Sequence, residues 1–155
     1  MKLSIIIPCF NEVSTIEDII VKINIQKDYN KEIIIVDDGS TDGTLEILKN
    51  KLFKHVDHII YNERNYGKGY SIRKGIQFAS GDVLIIQDAD LEYDPSDYFK
   101  LIEPIRAGYA DVVYGSRFIG TDQKRVLNYW HSLGNYWLTL LSNILININL
   151  TDMEV

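Results

Sequence analysis

The chain has 155 residues, of which 46% are hydrophobic and 25% charged, with a net charge of −6. This length suits a single domain with a real core, and the acidic balance argues against a general nucleic-acid binder, whose footprint is basic. The only cysteine, Cys9, cannot form an internal disulfide, so a reducing compartment fits, and at the end of an apolar run it reads as a small buried residue.

The first apolar run, residues 3–7, is β-branched throughout its isoleucines, as expected of a parallel strand covered on both faces. Ser14-Thr15-Ile16-Glu17 matches a capping box and leads into a helical pattern of Ile16, Ile19, Ile20 and Ile23. A second strand is expected at 33–36, then a turn at Asp37-Asp38-Gly39-Ser40. Ser40 or Thr41 is placed to cap a helix with Leu45, Ile47, Leu48 and Leu52 inward. Residues 58–61 give a weaker third strand. Gly67-Lys68-Gly69 opens a helix whose inward stripe is Ile72, Ile76 and Ala79, ended by Gly81. A fourth strand is expected at 83–86, and Pro95 suits the first position of a helix capped by Asp94, with Tyr98, Leu101, Ile102 and Ile105 inward. Residues 111–114 give a fifth strand.

Such alternation argues for one three-layer α/β/α domain with a mostly parallel central sheet. Residues 126–150 are apolar but interrupted by Asn128, His131, Asn135, Asn143, Asn147 and Asn149. They read as one or two amphipathic helices, candidates for lying at a membrane surface. The N-terminal apolar run is too short for a signal peptide, and no stretch matches a spanning helix.

In an open sheet of this kind ligands bind beyond the carboxyl ends of the strands. Four polar motifs fall there: residues 8–12, 37–41, 88–90 and Arg117. On an extended backbone Asp88 and Asp90 project to one face, where a paired carboxylate suits a hard divalent cation. Taken alone, the pair is equally well read as a solvated turn. Gly67-Lys68-Gly69 fits an anion-binding helix start or a plain turn. Asp42, Asp94 and Asp97 read as caps and first-turn charges, and Glu12 as an early-helix charge or a site group. His55, His58 and His131 lack metal-ligand spacing. The chain has no G-x-G-x-x-G after its first strand, no P-loop and no G-x-S-x-G elbow. Dinucleotide-dependent dehydrogenases, P-loop enzymes and α/β-hydrolases are thereby set aside.

The segments IIIPCFNE, IIIVDDGSTDGT, RNYGKGYSIRKG, DVLIIQDADLEYDP and VVYGSRF resemble, in order and spacing, family 2 glycosyltransferases of the GT-A (Rossmann-like) fold. The segment from Gln123 to Glu154 is similar to the polyprenyl-phosphate sugar transferases of that family. The resemblance implies inverting transfer of a hexose from a nucleotide sugar, of the GDP-mannose or UDP-glucose type, to a dolichyl or undecaprenyl phosphate. It implies a nucleotide-sugar-binding part at residues 1–120 and an acceptor or membrane-proximal helical segment at 121–155 of the same domain, truncated where relatives continue.

It further implies that Pro8, Asn11, Glu12, Asp37, Asp38, Gly39, Lys68, Asp88, Ala89 and Asp90 hold the nucleotide sugar, with Asp37 accepting from base or ribose. Asp88, Asp90 and Glu92 would hold Mg²⁺ or Mn²⁺. Asp90, Arg117 and Arg125 would act in catalysis, the arginines on phosphates. A lipid phosphate is already anionic, so no general base is needed. The implied location is the cytoplasmic face of a membrane, peripherally attached, with no nucleic-acid partner. Transfer to a saccharide hydroxyl and a non-catalytic nucleotide-sugar-binding fragment are the alternatives.

Overall fold

The computed structural model describes residues 1–115, 129–147 and 149–152, which form two compact units, Met1–Phe99 and Lys100–Val155. In the first unit, β1 (Lys2–Cys9), α1 (Ile16–Ile25), β2 (Asn30–Asp37), α2 (Thr44–Asn50), β3 (His58–Tyr61), α3 (Lys68–Ile76) and β4 (Val83–Ile86) follow one another. The strands are all parallel, in the order β3-β2-β1-β4. The helix α4 (Tyr98–Arg106) begins at the end of this unit, and α5 (Tyr129–Ile146) belongs to the second.

Both faces of β1 and β2 are covered. Ile5, Ile6 and Ile7 are fully buried, as are Ile34, Ile35 and Val36, so successive side chains on opposite faces all lie in the core. Ile6, Ile34, Val36 and Ile60 form one cluster, joined by Ala79. The edge strand β4 instead alternates, with Val83 and Ile85 buried and Leu84 and Ile86 exposed. The expected fifth strand is absent: residues 111–115 carry no regular structure. A four-residue apolar run becomes a strand only through a ladder partner, and among the described residues this one has none.

Several local expectations are corrected. The capping box does not form: α1 starts at Ile16, so Thr15 rather than Ser14 stands at the cap position, and Thr15 Oγ1 donates to Glu12 Oε2 at 2.6 Å instead of capping the helix. The start of α2 is held by Asp42, whose Oδ1 accepts from Thr44 N (3.0 Å) and Thr44 Oγ1 (2.5 Å), rather than by Ser40 or Thr41. Asp94 does act as the cap expected before Pro95, accepting from Ser96 N at 2.9 Å. The inward face of α3 is built from Ser71 and Gly75, while Ile76 is exposed. Gly75 allows this helix to lie close on the sheet: a Cβ there would stand 2.6 Å from Ile6 Cγ2 and 3.2 Å from Val36 Cγ2.

At the N-terminal end of the strands, Glu32 is buried and fully engaged. It meets Lys2 Nζ at 2.5 Å, Ser80 N at 2.5 Å and Ser80 Oγ at 2.7 Å, and also accepts from Ser4 Oγ. This cluster ties β1, β2 and the entry to β4 together at the end opposite the strand-end motifs.

In the second unit, the amphipathic pattern of α5 is inverted relative to a soluble helix. Its buried positions are polar: Asn135 Nδ2 donates to Asp152 Oδ1 at 2.6 Å, and Thr139 Oγ1 donates to Asn135 Oδ1 at 3.1 Å. Asn143 exchanges hydrogen bonds of 2.8 and 2.9 Å with the Leu150 backbone. Trp130, Tyr136, Trp137, Leu141, Ile144 and Leu145 are exposed, while Leu140 is half-buried. Among the described residues no helix is long and apolar enough to cross a membrane.

Candidate active site

Beyond the carboxyl ends of β1, β2 and β4 lies an open cleft of about 340 Å³. Pro8, Cys9, Phe10 and Glu12 form one side of its lining, and Asp38 enters from the end of β2. Asn65, Gly67, Lys68 and Ser71 come from the approach to α3 and its first turn, and Asp88, Ala89 and Asp90 from the exit of β4. Seven residues expected at the nucleotide sugar therefore meet here: Pro8, Glu12, Asp38, Lys68, Asp88, Ala89 and Asp90.

The turn bearing Asp88 and Asp90 is braced from beneath by Gln87, which is buried. Its Nε2 donates to Asp88 O (3.0 Å) and Tyr93 O (3.1 Å), and its Oε1 accepts from Tyr98 Oη at 2.9 Å. The chain is not extended through this segment. It turns at Ala89 and Asp90, and Leu91 has a φ of 64°. Asp90 Oδ1 accepts from Glu92 N at 3.0 Å, closing the turn. The two carboxylates still reach one cleft, but by a turn rather than by strand alternation. Lys68 Nζ contacts both oxygens of Asp88, at 2.7 and 2.8 Å. Among the described residues, no three His, Cys, Asp or Glu side chains converge to hold a metal, so Asp88, Asp90 and Glu92 are not a preassembled triad.

Asp38 organises the loop before α3. Its buried carboxylate accepts from Asn62 Nδ2 (2.7 Å), Gly67 N (2.7 Å) and Tyr66 N (3.1 Å to each oxygen). Burial pushes this carboxyl up, but the hydrogen bonds from Asn62, Tyr66, Gly67 and Ser71 outweigh it and hold the group below the usual range. Gly39 serves the same junction sterically, with φ 75° and a would-be Cβ 2.8 Å from the Arg64 backbone. It does not line the cleft, nor does Asn11. Asn11 adopts φ 57° and ties two loops together, accepting from Thr41 N (2.8 Å) and donating its own N–H to Ser40 Oγ (2.9 Å).

Asp37 is buried beside Cys9 in the β1–β2 register. Its Oδ2 accepts from Ser40 N at 3.3 Å, while Oδ1 has no partner among the described residues. A buried carboxylate oxygen without a donor costs roughly 1–3 kcal/mol, and Asp37, like Gly39 and Asn11, does not line the cleft. Cys9 is no nucleophile: burial pushes its thiol up, and the carboxylates of Asp37, Glu12 and Asp42 push the same way. Arg117 and Arg125 lie outside the described residues. Phe10, Asn65 and Ser71 were not among the expected site residues. Each falls in a segment that carries the family resemblance, Phe10 in IIIPCFNE and Asn65 and Ser71 in RNYGKGYSIRKG.

A parallel sheet with acidic and cationic groups gathered at its carboxyl end defines a nucleotide-binding α/β fold of the GT-A type. The chain belongs to glycosyl transferase family 2, whose sequence profile matches residues 4–152. It is 38% identical over 120 residues to a dolichol-phosphate mannosyltransferase of Pyrococcus furiosus, covering 77% of this chain and 34% of that one. An undecaprenyl-phosphate 4-deoxy-4-formamido-L-arabinose transferase of Aeromonas hydrophila is 33% identical over 115 residues, covering 71% and 35%. A mannosyltransferase of Pyrobaculum calidifontis, solved in complex with GDP-Man and Mn²⁺, superposes with a TM-score of 0.51 at 26% identity, over 57% of this chain and 27% of that one. The chain thus spans about a third of the length of these two curated relatives.

Proposed function

We propose that the chain is the donor-binding part of an inverting hexosyltransferase that moves a hexose from a nucleotide sugar, of the GDP-mannose or UDP-glucose type, to a polyprenyl phosphate. The observation that carries this is the convergence of Asp88, Asp90 and Lys68 in one cleft, at the carboxyl end of the sheet and the first turn of a helix. These are the groups a metal-bound diphosphate requires: hard oxygen donors, an ammonium and helix N–H groups. The likeness to two transferases named for polyprenyl-phosphate substrates supports the acceptor class.

Asp88 and Asp90 suit Mg²⁺ or Mn²⁺ by donor chemistry, and a cation already sits on Asp88 in the form of the Lys68 ammonium. Glu92 stands two residues from Asp90, within reach as a further ligand if the turn opens. A bound divalent ion supplies charge neutralisation to the leaving diphosphate. Asp37, with its unpartnered oxygen, is assigned the nucleoside, and Asp38 shapes the wall beside it. Pro8, Glu12 and Ala89 border the donor, while Asn11 and Gly39 set the loops behind it. Arg117 and Arg125 are assigned to phosphate contacts on their sequence positions. The acceptor phosphate needs no deprotonation, so no base is assigned.

Residues 121–155 are assigned to the acceptor and membrane side. The exposed tryptophans and leucines of α5, opposite its polar buried stripe, suit the interfacial layer of a bilayer, where a polyprenyl phosphate presents its headgroup. The chain is assigned with them to a peripheral position on the cytoplasmic membrane face. Transfer of radiolabelled sugar from GDP-mannose or UDP-glucose to a short polyprenyl phosphate tests the proposal. Labelled lipid is the expected product. Label appearing only on an added saccharide would overturn the acceptor assignment, and donor binding without any transfer would reduce the chain to a binding fragment.

A further inference from the structure

We infer that Lys68 competes with the divalent ion for Asp88, so that metal and nucleotide diphosphate bind cooperatively rather than independently. The inference rests on the nucleotide-sugar reading of the cleft. Its basis is the placement of one ammonium on both oxygens of Asp88, at 2.7 and 2.8 Å. A hard divalent ion bonds a carboxylate oxygen at about 2.0–2.2 Å, so an ion on Asp88 and this ammonium would stand within a few ångströms of each other. Two cations at that separation repel strongly in a partly desolvated cleft, and the Asp88 side chain is only 23% exposed. An ion added alone must therefore displace Lys68. Asp90 offers little compensation, because its Oδ1 is engaged with Glu92 N and no third acidic group converges on the pair.

A diphosphate changes this balance. Lys68 is the first residue of α3, follows Gly67 at φ 93°, and has a side chain 55% exposed. Its flexible stem can leave Asp88 for an anion seated at the helix start. The diphosphate would thus release Asp88 to the metal while adding oxygen ligands of its own. By linkage, each ligand then raises the affinity for the other by the same factor.

Free Mn²⁺ can be measured by electron paramagnetic resonance, titrating the ion alone and then with GDP or UDP. The proteins are the unchanged chain, Lys68→Met, Lys68→Met with Asp88→Asn, and Arg73→Met as a like-charge control on the same helix. Lys68→Met is expected to bind Mn²⁺ alone about tenfold more tightly than the unchanged chain, within the usual range of coupling between sites. The nucleotide should enhance Mn²⁺ binding strongly in the unchanged chain and little in Lys68→Met. Arg73→Met should match the unchanged chain, and adding Asp88→Asn should remove the gain. Equal or weaker Mn²⁺ binding by Lys68→Met overturns the inference. So does an equal gain in Arg73→Met, which would mark a general field effect, or a gain that survives Asp88→Asn. If neither nucleotide binds any variant, the donor reading fails, while the Mn²⁺-only arm still decides whether Lys68 competes.

Discussion

Asp38→Asn changes little in shape and removes one acceptor from a junction where the carboxylate meets donors from Asn62, Tyr66, Gly67 and Ser71. Whichever oxygen the amide keeps, its NH₂ then faces an N–H donor, either Asn62 Nδ2 or Gly67 N, each at 2.7 Å from the native carboxylate. Flipping Asn62 does not resolve the clash without cost, because Asn62 Oδ1 accepts from Lys74 Nζ at 2.7 Å. Asn65 Oδ1 also accepts from Gly67 N at 2.9 Å, so that donor keeps one partner. One charge-assisted hydrogen bond is lost, worth roughly 1.5–3 kcal/mol, and a buried donor is left facing another, at roughly 1–3 kcal/mol. The expected destabilisation is about 3 kcal/mol, read as a lower urea midpoint at unchanged slope. Amide exchange should quicken at Tyr66 and Gly67, and nucleotide affinity should fall because Lys68 follows directly. A loss below about 1 kcal/mol, with those amides still protected, would refute the assignment of Asp38 as the organiser of this loop.

Asp37→Ala should weaken GDP or UDP binding while leaving pyrophosphate binding nearly unchanged by calorimetry, since its free oxygen is assigned to the nucleoside. An equal loss for both ligands would move Asp37 to the phosphates or to a structural role. The Glu32 carboxyl is drawn from its ordinary 4.5 down to about 2: burial raises it, but bonds from Lys2, Ser4 and Ser80 prevail. Its folded value lies below the unfolded one, so its stabilisation, about 3 kcal/mol, is full above about pH 4.5 and lost as pH falls towards 2. Glu32→Gln should lower stability at neutral pH and flatten that acid limb; an unchanged limb in acid-titration fluorescence would contradict this. With anionic liposomes, the chain should float weakly and Trp137→Ser with Leu141→Ser less. A protein that stays wholly in the soluble fraction would show that α5 gives it no membrane face of its own.

The strands and helices up to β4 are legible because the isoleucine runs of β1 and β2 are buried on both faces, and because Asp94-Pro95 and Gly67-Lys68 punctuate the chain where helices begin. The site was legible because a parallel sheet fixes which strand ends share one edge. What the sequence concealed was tertiary. Ser14-Thr15-Ile16-Glu17 has the letters of a capping box, yet the helix starts one residue late for it, with Thr15 at the cap position and turned to Glu12. The inward face of α3 is Ser71 and Gly75 because the helix lies too close to Ile6 for a larger residue, and no periodicity count reports such closeness. Strand alternation predicts Asp88 and Asp90 on one face, whereas the strand ends at Ile86 and a turn braced by Gln87 brings both to the cleft. The roles of Asn11 and Gly39 in holding loops, rather than lining the cleft, depended on contacts with Thr41 and Arg64 that lie far away in sequence.

Calorimetric titration of GDP-mannose and UDP-glucose, with Mn²⁺ and then with EDTA, probes the cleft most directly when run in parallel on the unchanged chain and on Asp90→Ala. One of the two nucleotide sugars should bind the unchanged chain with Mn²⁺ at least about tenfold more tightly than with EDTA, and Asp90→Ala should erase that difference. Equal affinity with and without metal, and in both proteins, would contradict the assignment of Asp88 and Asp90 to a metal-bound diphosphate.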